Sequence, residues 1–219
     1  MNISKLITNM QNSQCQKCTA LSTIRKNIVV SKGNMNADTI IVGQNPGREE
    51  DDAGTPFIGP AGRHLDRIID DSGYDKNKDF FFTNSILCIT PNNSDPNEEY
   101  IQSCQTNLIT LTGQFKKIIA LGKVASKAVI MAYKPNLLSA IRISSMNNII
   151  TNGNPIILDN EKVLFITYHP SFLLRNNMVD QTHLPYQQVL DEIKYAKSYV
   201  ITKKKSSDNQ RDYKSMGLF

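Results

Sequence analysis

Short, wholly apolar runs alternate along this chain with stretches in which apolar residues recur every three or four positions. Residues 37–43 (ADTIIVG) form a compact apolar run closed by glycine, the pattern of a strand buried on both faces. Residues 62–72 place Leu65, Ile68 and Ile69 on one side of a helix that Gly73 can stop. The aromatic and β-branched run over residues 80–87 (FFFTNSIL) predicts a strand, and a turn-rich segment (ITPNNSDPN) separates it from a helix over residues 98–115. Two further buried strands are predicted at Lys117–Leu121 and residues 163–167, with a helix over residues 123–133 between them. Val189, Ile193 and Ala196 mark a late amphipathic helix over residues 185–202. Strands alternating with helices predict an α/β fold, a three-layer α/β/α arrangement around a short, mostly parallel central sheet.

The chain has 219 residues, 40% of them hydrophobic, enough for one well-formed core. Residues 1–202 are expected to form a single domain, working as a monomer. No apolar run approaches the ~20 residues needed to span a bilayer, so no membrane partner is expected. Net charge is +5, and residues 203–219 contribute much of it: Lys203, Lys204, Lys205, Arg211 and Lys214 stand against Asp208 and Asp212. That basic tail is expected to be disordered. It ends in Met-Gly-Leu-Phe, a closing segment that could dock in an apolar pocket such as a sliding clamp offers. The charge balance permits a polyanionic partner without requiring one.

Cysteine usage is more informative. Cys15, Cys18, Cys88 and Cys104 are all the cysteine present, spaced as C-x2-C, a long gap, then C-x15-C. The first fourteen residues are polar and have no secretory h-region, so a reducing, intracellular compartment is expected and metal ligation is favoured over a disulfide framework. Tetrahedral zinc and an iron–sulfur cluster both accept four thiolates; the wide second spacing favours the cluster over zinc.

Two segments that follow predicted buried strands carry unusual chemistry. Ligands of open parallel sheets bind beyond the carboxyl ends of the strands. The first segment, GQNPGREEDDAGTPFIGPAG from Gly43 to Gly62, is rich in glycine and proline but is neither a Walker loop nor GxGxxG. The second is Thr167-Tyr168-His169-Pro170-Ser171. The first resembles the GEAPGxxEDxxGxPFVGxAG signature of family 4 (iron–sulfur) uracil-DNA glycosylases. ITYHPSFLLR resembles that family's TYHPSxLLR-like loop, and FFTNSILC its TNVVKC-like strand, and the cysteine spacing agrees.

This resemblance implies removal of uracil from DNA by hydrolysis of the N-glycosidic bond, leaving an abasic site for base excision repair. It implies a structural [4Fe–4S] cluster on Cys15, Cys18, Cys88 and Cys104. Phe57 matches the phenylalanine that stacks on the flipped base. Asn84 matches the asparagine that reads uracil, where an amide can accept from N3–H and donate to O4. His169 matches the histidine facing uracil O2 as negative charge builds there. Ser171, Leu173, Leu174 and Arg175 fall in the segment that presses into DNA, either leucine serving as wedge and Arg175 as phosphate contact. His64 and His183 have no such context and receive no role.

The first signature departs from the family, which carries Glu-Ala where this chain has Gln44-Asn45. Asparagine cannot act as a strong base, but it can orient a water for attack on a dissociating sugar. Glu50 and Asp51 match the signature's acidic pair and either support that water or are solvated loop acids. Residues 90–98 hold neither histidine nor arginine, so the covalent-trapping variant of the family is not expected. The departure leaves a second reading, a weakly active or non-catalytic DNA-binding accessory protein on the same scaffold.

Overall fold

The computed structural model of the protein describes residues 3–159 and 161–201. Among them one sheet is built from β1 (Lys32–Gly33), β2 (Thr39–Gly43), β3 (Phe80–Asn84), β4 (Lys117–Leu121), β5 (Ile156–Asp159) and β6 (Lys162–Thr167), in the order β1-β3-β2-β4-β6-β5. The four inner strands are mutually parallel, and β1 and β5 pair antiparallel at the two edges. The helices are α1 (Ile3–Asn12), α2 (Thr19–Ser22), α3 (Arg48–Ala53), α4 (Pro60–Asp71), α5 (Lys76–Asp79), α6 (Glu98–Thr112), α7 (Gly122–Tyr133), α8 (Leu138–Ile143), α9 (Met146–Gly153), α10 (Pro170–Arg175) and α11 (Leu184–Ser198).

The inner strands read as unbroken apolar runs because both of their faces are covered. Ile40, Val42, Ile118, Ala120, Leu164 and Ile166 point to one core with residues of α6, α7 and α9. The intervening Ile41, Ile119, Val163 and Phe165 point to the other, under α4 and α11. The period of two in each strand thus sorts neighbouring residues into two separate cores. This is the expected three-layer α/β fold.

Local chemistry explains the element ends that position the site. Pro60 opens α4 at its first turn, where a missing N–H costs nothing, and Gly73 in the left-handed region (φ 83°) follows its end. Leu65, Ile68 and Ile69 are fully buried on α4, each contributing on the order of 2 kcal/mol. β3 is shorter than its apolar run because the chain bends after Asn84. There the Ser85 hydroxyl and the Ile86 N–H both donate to the Gln44 carbonyl, at 2.6 and 3.2 Å. The expected helices over 98–115 and 185–202 are observed as α6 and α11, each ending a few residues early. Among the described residues no helix is long and apolar enough to cross a membrane. The basic tail and its closing Leu-Phe lie outside the described residues.

Candidate active site

From β2 the chain passes to β3 on one side, then crosses back to β4 on the other. The carboxyl ends of β2 and β4 therefore flank a topological switch point, where open α/β sheets bind ligands. A cleft of about 610 Å³ opens there, lined by Gln44, Asn45, Phe57, Asn84, Tyr168 and His169 among others. A different strand end supplies each wall: β2 leads into Gln44-Asn45, β3 ends in Asn84, β4 runs into Gly122 at the start of α7, and β6 delivers Tyr168-His169.

Phe57 and Asn84 meet over Gly43. A Cβ at Gly43 would lie 2.4 Å from Asn84 Oδ1 and 2.6 Å from Phe57 Cζ, so both side chains press onto bare backbone. The register of the β2–β3 pair, Gly43 opposite Asn84, creates this contact. Phe57 adopts φ 55°, unusual for an aromatic residue. It is held there from three sides. Lys32 Nζ donates to its carbonyl at 2.8 Å, Phe82 lies against its ring at 5.7 Å, and Gly62 leaves the space a Cβ would invade at 2.2 Å from the Phe57 carbonyl.

Gln44 and Asn45 are gripped by residues 90–95. Gln44 Nε2 donates to Asp95 Oδ1 at 2.6 Å. Asn45 Nδ2 donates to Pro46 O at 3.0 Å and to Thr90 Oγ1 and Asn93 Oδ1, both at 3.2 Å. Asn92 and Asn93 both sit in the left-handed region (φ 54° and 53°), which asparagine tolerates better than most residues. They turn this loop back onto the Gln44-Asn45 pair.

His169 caps α10. Its Nδ1 accepts from the Ser171 N–H at 3.1 Å and lies 2.8 Å from Ser171 Oγ, which also accepts from Arg175 Nη1 at 3.1 Å. An Nδ1 that accepts from a backbone N–H carries no proton, which places the imidazole proton on Nε2. Dense protein around the ring, then the Arg175 charge, lower its pKa to about 4, against a weaker opposing effect of Asp95. At neutral pH His169 is an uncharged donor. Residues 170–175, read from sequence as a loop, form the short helix α10. It buries Leu173 completely in the α4–α11 core and leaves Leu174 partly exposed and Arg175 exposed. Of the two candidate wedges only Leu174 faces outward.

The acidic pair binds backbone: Glu50 is partly buried at the edge of the cleft, and Asp51 is buried away from it. Glu50 accepts from the N–H groups of Gly47, Ile58 and Gly59 at 3.1, 3.2 and 2.8 Å, stapling both ends of the glycine-rich segment. Asp51, 4% exposed, accepts from the N–H groups of Lys26 and Asn27.

The four cysteines are free thiols around one small cavity of about 20 Å³, beneath the N-terminal segment. Arg25 donates to Cys88 Sγ at 3.5 Å and to the Cys15 carbonyl at 2.7 Å. Burial pushes the Cys18 and Cys88 thiols up and Cys104 to about 12. Among the described residues no three His, Cys, Asp or Glu side chains are drawn together as a closed metal set. The sulfurs border a common space rather than converge. Four soft donors, unpaired by disulfides and facing one cavity, nonetheless suit a thiolate-bound metal or cluster in donor type and number.

His64 is buried against Tyr186, and His183 contacts Asp180 at the start of α11. Neither lines the cleft. Sequence reasoning missed Lys32, Thr90, Asn93 and Asp95, which hold the cleft's own side chains, and Tyr168 and Phe172, which stack on each other in its wall at 5.1 Å. Tyr168 and Phe172 fall within the second signature segment, and the turn-rich run over residues 90–98 held Thr90, Asn93 and Asp95, but neither gave a hint of these contacts.

The sequence profile of the Uracil DNA glycosylase superfamily matches residues 30–194. A type-4 uracil-DNA glycosylase of Pyrobaculum aerophilum is 36% identical over 179 residues, 80% of this chain and 86% of that protein. One from Thermotoga maritima is 33% identical over 193 residues, 86% of this chain and 92% of its own length. A third, from Saccharolobus solfataricus, is 33% identical over 181 residues, 82% and 78% of the two chains. A match across most of the fold, together with a cleft assembled at the sheet's switch point from the same motifs, shows that the chain belongs to the uracil DNA glycosylase superfamily, with type-4 enzymes as its relatives.

Proposed function

We infer that this chain is a uracil-DNA glycosylase that hydrolyses the bond between uracil and deoxyribose in DNA and leaves an abasic site. The observation that carries the reading is the meeting of Phe57 and Asn84 over Gly43, with the uncharged donor His169 in the same cleft. A base extruded from DNA stacks on Phe57. The Asn84 amide accepts from uracil N3–H and donates to O4, a pairing that cytosine, with an amine at C4 and no N3–H, leaves unmet. As the glycosidic bond stretches, charge collects on uracil O2, and the His169 Nε2–H donates to it. Gln44 and Asn45 orient the water that attacks the sugar, where position outweighs basicity. Leu174 fills the space the base vacates, and Arg175 meets a phosphate. Ser171 acts from behind, its hydroxyl turned to His169 Nδ1.

Cys15, Cys18, Cys88 and Cys104 hold a [4Fe–4S] cluster in this reading. It braces the N-terminal segment against the start of the 90–95 loop and takes no part in a hydrolysis that needs no redox change. A DNA substrate and four reduced thiols belong to an intracellular compartment.

The test is cleavage of a single strand carrying one uracil. Purified protein with its iron and sulfide content determined is incubated with the strand, which is then treated with alkali. Breakage at uracil, not at cytosine or thymine, is expected, with a rate loss of roughly 10²- to 10³-fold in His169→Ala. An unbroken strand beside an active control enzyme would leave only DNA binding and sink the catalytic reading. Absence of iron would sink the cluster alone.

A further inference from the structure

The pair Gln44-Asn45 is where this chain leaves its family's pattern, and the surrounding atoms say what the pair is for. Every partner of the two amide nitrogens is an acceptor. Pro46 O can only accept. Thr90 Oγ1 has committed its proton to Ser94 O at 2.6 Å, so it too accepts from Asn45. Asn45 Nδ2 has two hydrogens for three acceptors, so Asn93 Oδ1 shares one of them, and as Nδ2 cannot accept, Asn93 presents its oxygen. Asp95 Oδ1 accepts from Gln44 Nε2 at 2.6 Å and fixes it in the same way. Both amides are therefore locked with nitrogens toward the 90–95 loop, and their carbonyl oxygens are the ends left for the cleft they line.

We propose that residues 90–95 are a positioning loop matched to Gln44 and Asn45: Asp95, with Thr90 and Asn93, turns both amide oxygens toward the attacking water and excludes a carboxylate from either position. A glutamate at 44 would put its charge against Asp95. An aspartate at 45 would set its oxygens against Pro46 O and a threonine oxygen with no proton to give. Asn45 is thus a built-in amide rather than a weakened aspartate, and Asp95 acts through Gln44 as a positioning residue. The proposal rests on the glycosylase reading above.

Single-turnover cleavage of uracil-containing DNA by Gln44→Glu, Asn45→Asp, Asp95→Ala and the pair Gln44→Glu/Asp95→Asn tests it, with wild type alongside and thermal melts checking each fold. Gln44→Glu and Asn45→Asp are each expected to lose on the order of 10- to 100-fold in rate. The double variant should recover most of the rate, because the amide introduced at position 95 can donate to the carboxylate introduced at position 44. Asp95→Ala, on an exposed loop, should lower the maximal single-turnover rate with little change in the enzyme concentration that gives half of it. A wild-type rate in Asn45→Asp or Asp95→Ala, or a double variant no faster than Gln44→Glu, overturns the proposal while the glycosylase reading stands. An inactive wild type overturns both.

Discussion

At the scale of single residues, the cleft depends on backbone that carries no side chain. Gly43 is flanked by Asn84 and Phe57 at distances no Cβ can share. Gly43→Ala must displace one of them, and these are the two side chains proposed above to stack on the base and read its edge. We expect Gly43→Ala to lower kcat/KM on uracil-containing DNA by roughly 10²-fold or more with only a modest fall in Tm; unchanged kinetics would show that the two contacts do not set the site. The glycine itself was legible as the end of a strand, and Asn84 as a polar residue closing an aromatic run. Their contact was not, because it arises from the pairing of β2 with β3 across a long intervening stretch of chain.

At the scale of elements, α10 divides its neighbouring leucines between two jobs. Leu173 is fully buried beneath α4 and α11, whereas Leu174 is partly exposed beside Arg175. Leu173→Ala should cost about 2–5 kcal/mol of stability by leaving a core cavity, read as a lower Tm and denaturation midpoint. Leu174→Ala should leave Tm nearly unchanged and slow cleavage more on double-stranded than on single-stranded uracil DNA. Equal stability losses in both would refute the division. The sequence showed a Pro-led run after a buried strand but could not reveal a helix of six residues, too short for its apolar period to register. α3 escaped notice for a related reason. Its residues, REEDDA, show no apolar stripe, and its place is set by the Glu50 and Asp51 carboxylates rather than by a core face. The edge strands β1 and β5 are short and pair antiparallel, so neither has the continuous apolar run that marked the inner four.

At the scale of the whole molecule, one buried acid couples stability to pH. Glu192 on α11 is 8% exposed, with its Oε1 buried and unpartnered among the described residues, and it lies by Asn154, which bonds both the N–H and carbonyl of Ile166 on β6. Burial raises its pKa to about 7 from 4.5, with the neighbouring Asn154 amide opposing and the Asp191 charge assisting. The folded state thus holds a proton that the unfolded chain releases above pH 4.5. The stabilisation is complete below about pH 4.5 and is lost as pH rises through 7. Glu192→Gln removes the titration and should stabilise the protein by roughly 3 kcal/mol at about pH 8 and by little at about pH 4. Parallel melting curves for the two proteins across that range would overturn the assignment. The alternation of strands and helices was readable because parallel strands covered on both faces must be apolar throughout. The strand order was not, since nothing local records which strand lies beside which.

Glu50 and Asp51 are adjacent in sequence and hold different things. One gathers the glycine-rich segment that carries Phe57; the other grips the backbone of Lys26 and Asn27, next to the arginine that reaches Cys15 and Cys88. A single peptide bond therefore joins the rigging of the cleft to that of the thiol-lined cavity. Hydrogen bonds through Arg25, Asp51 and α3 thus run from the cysteines to the segment that carries Phe57. Oxidising the thiols is therefore expected to slow uracil cleavage before it lowers Tm, and a Tm that falls first would contradict the link.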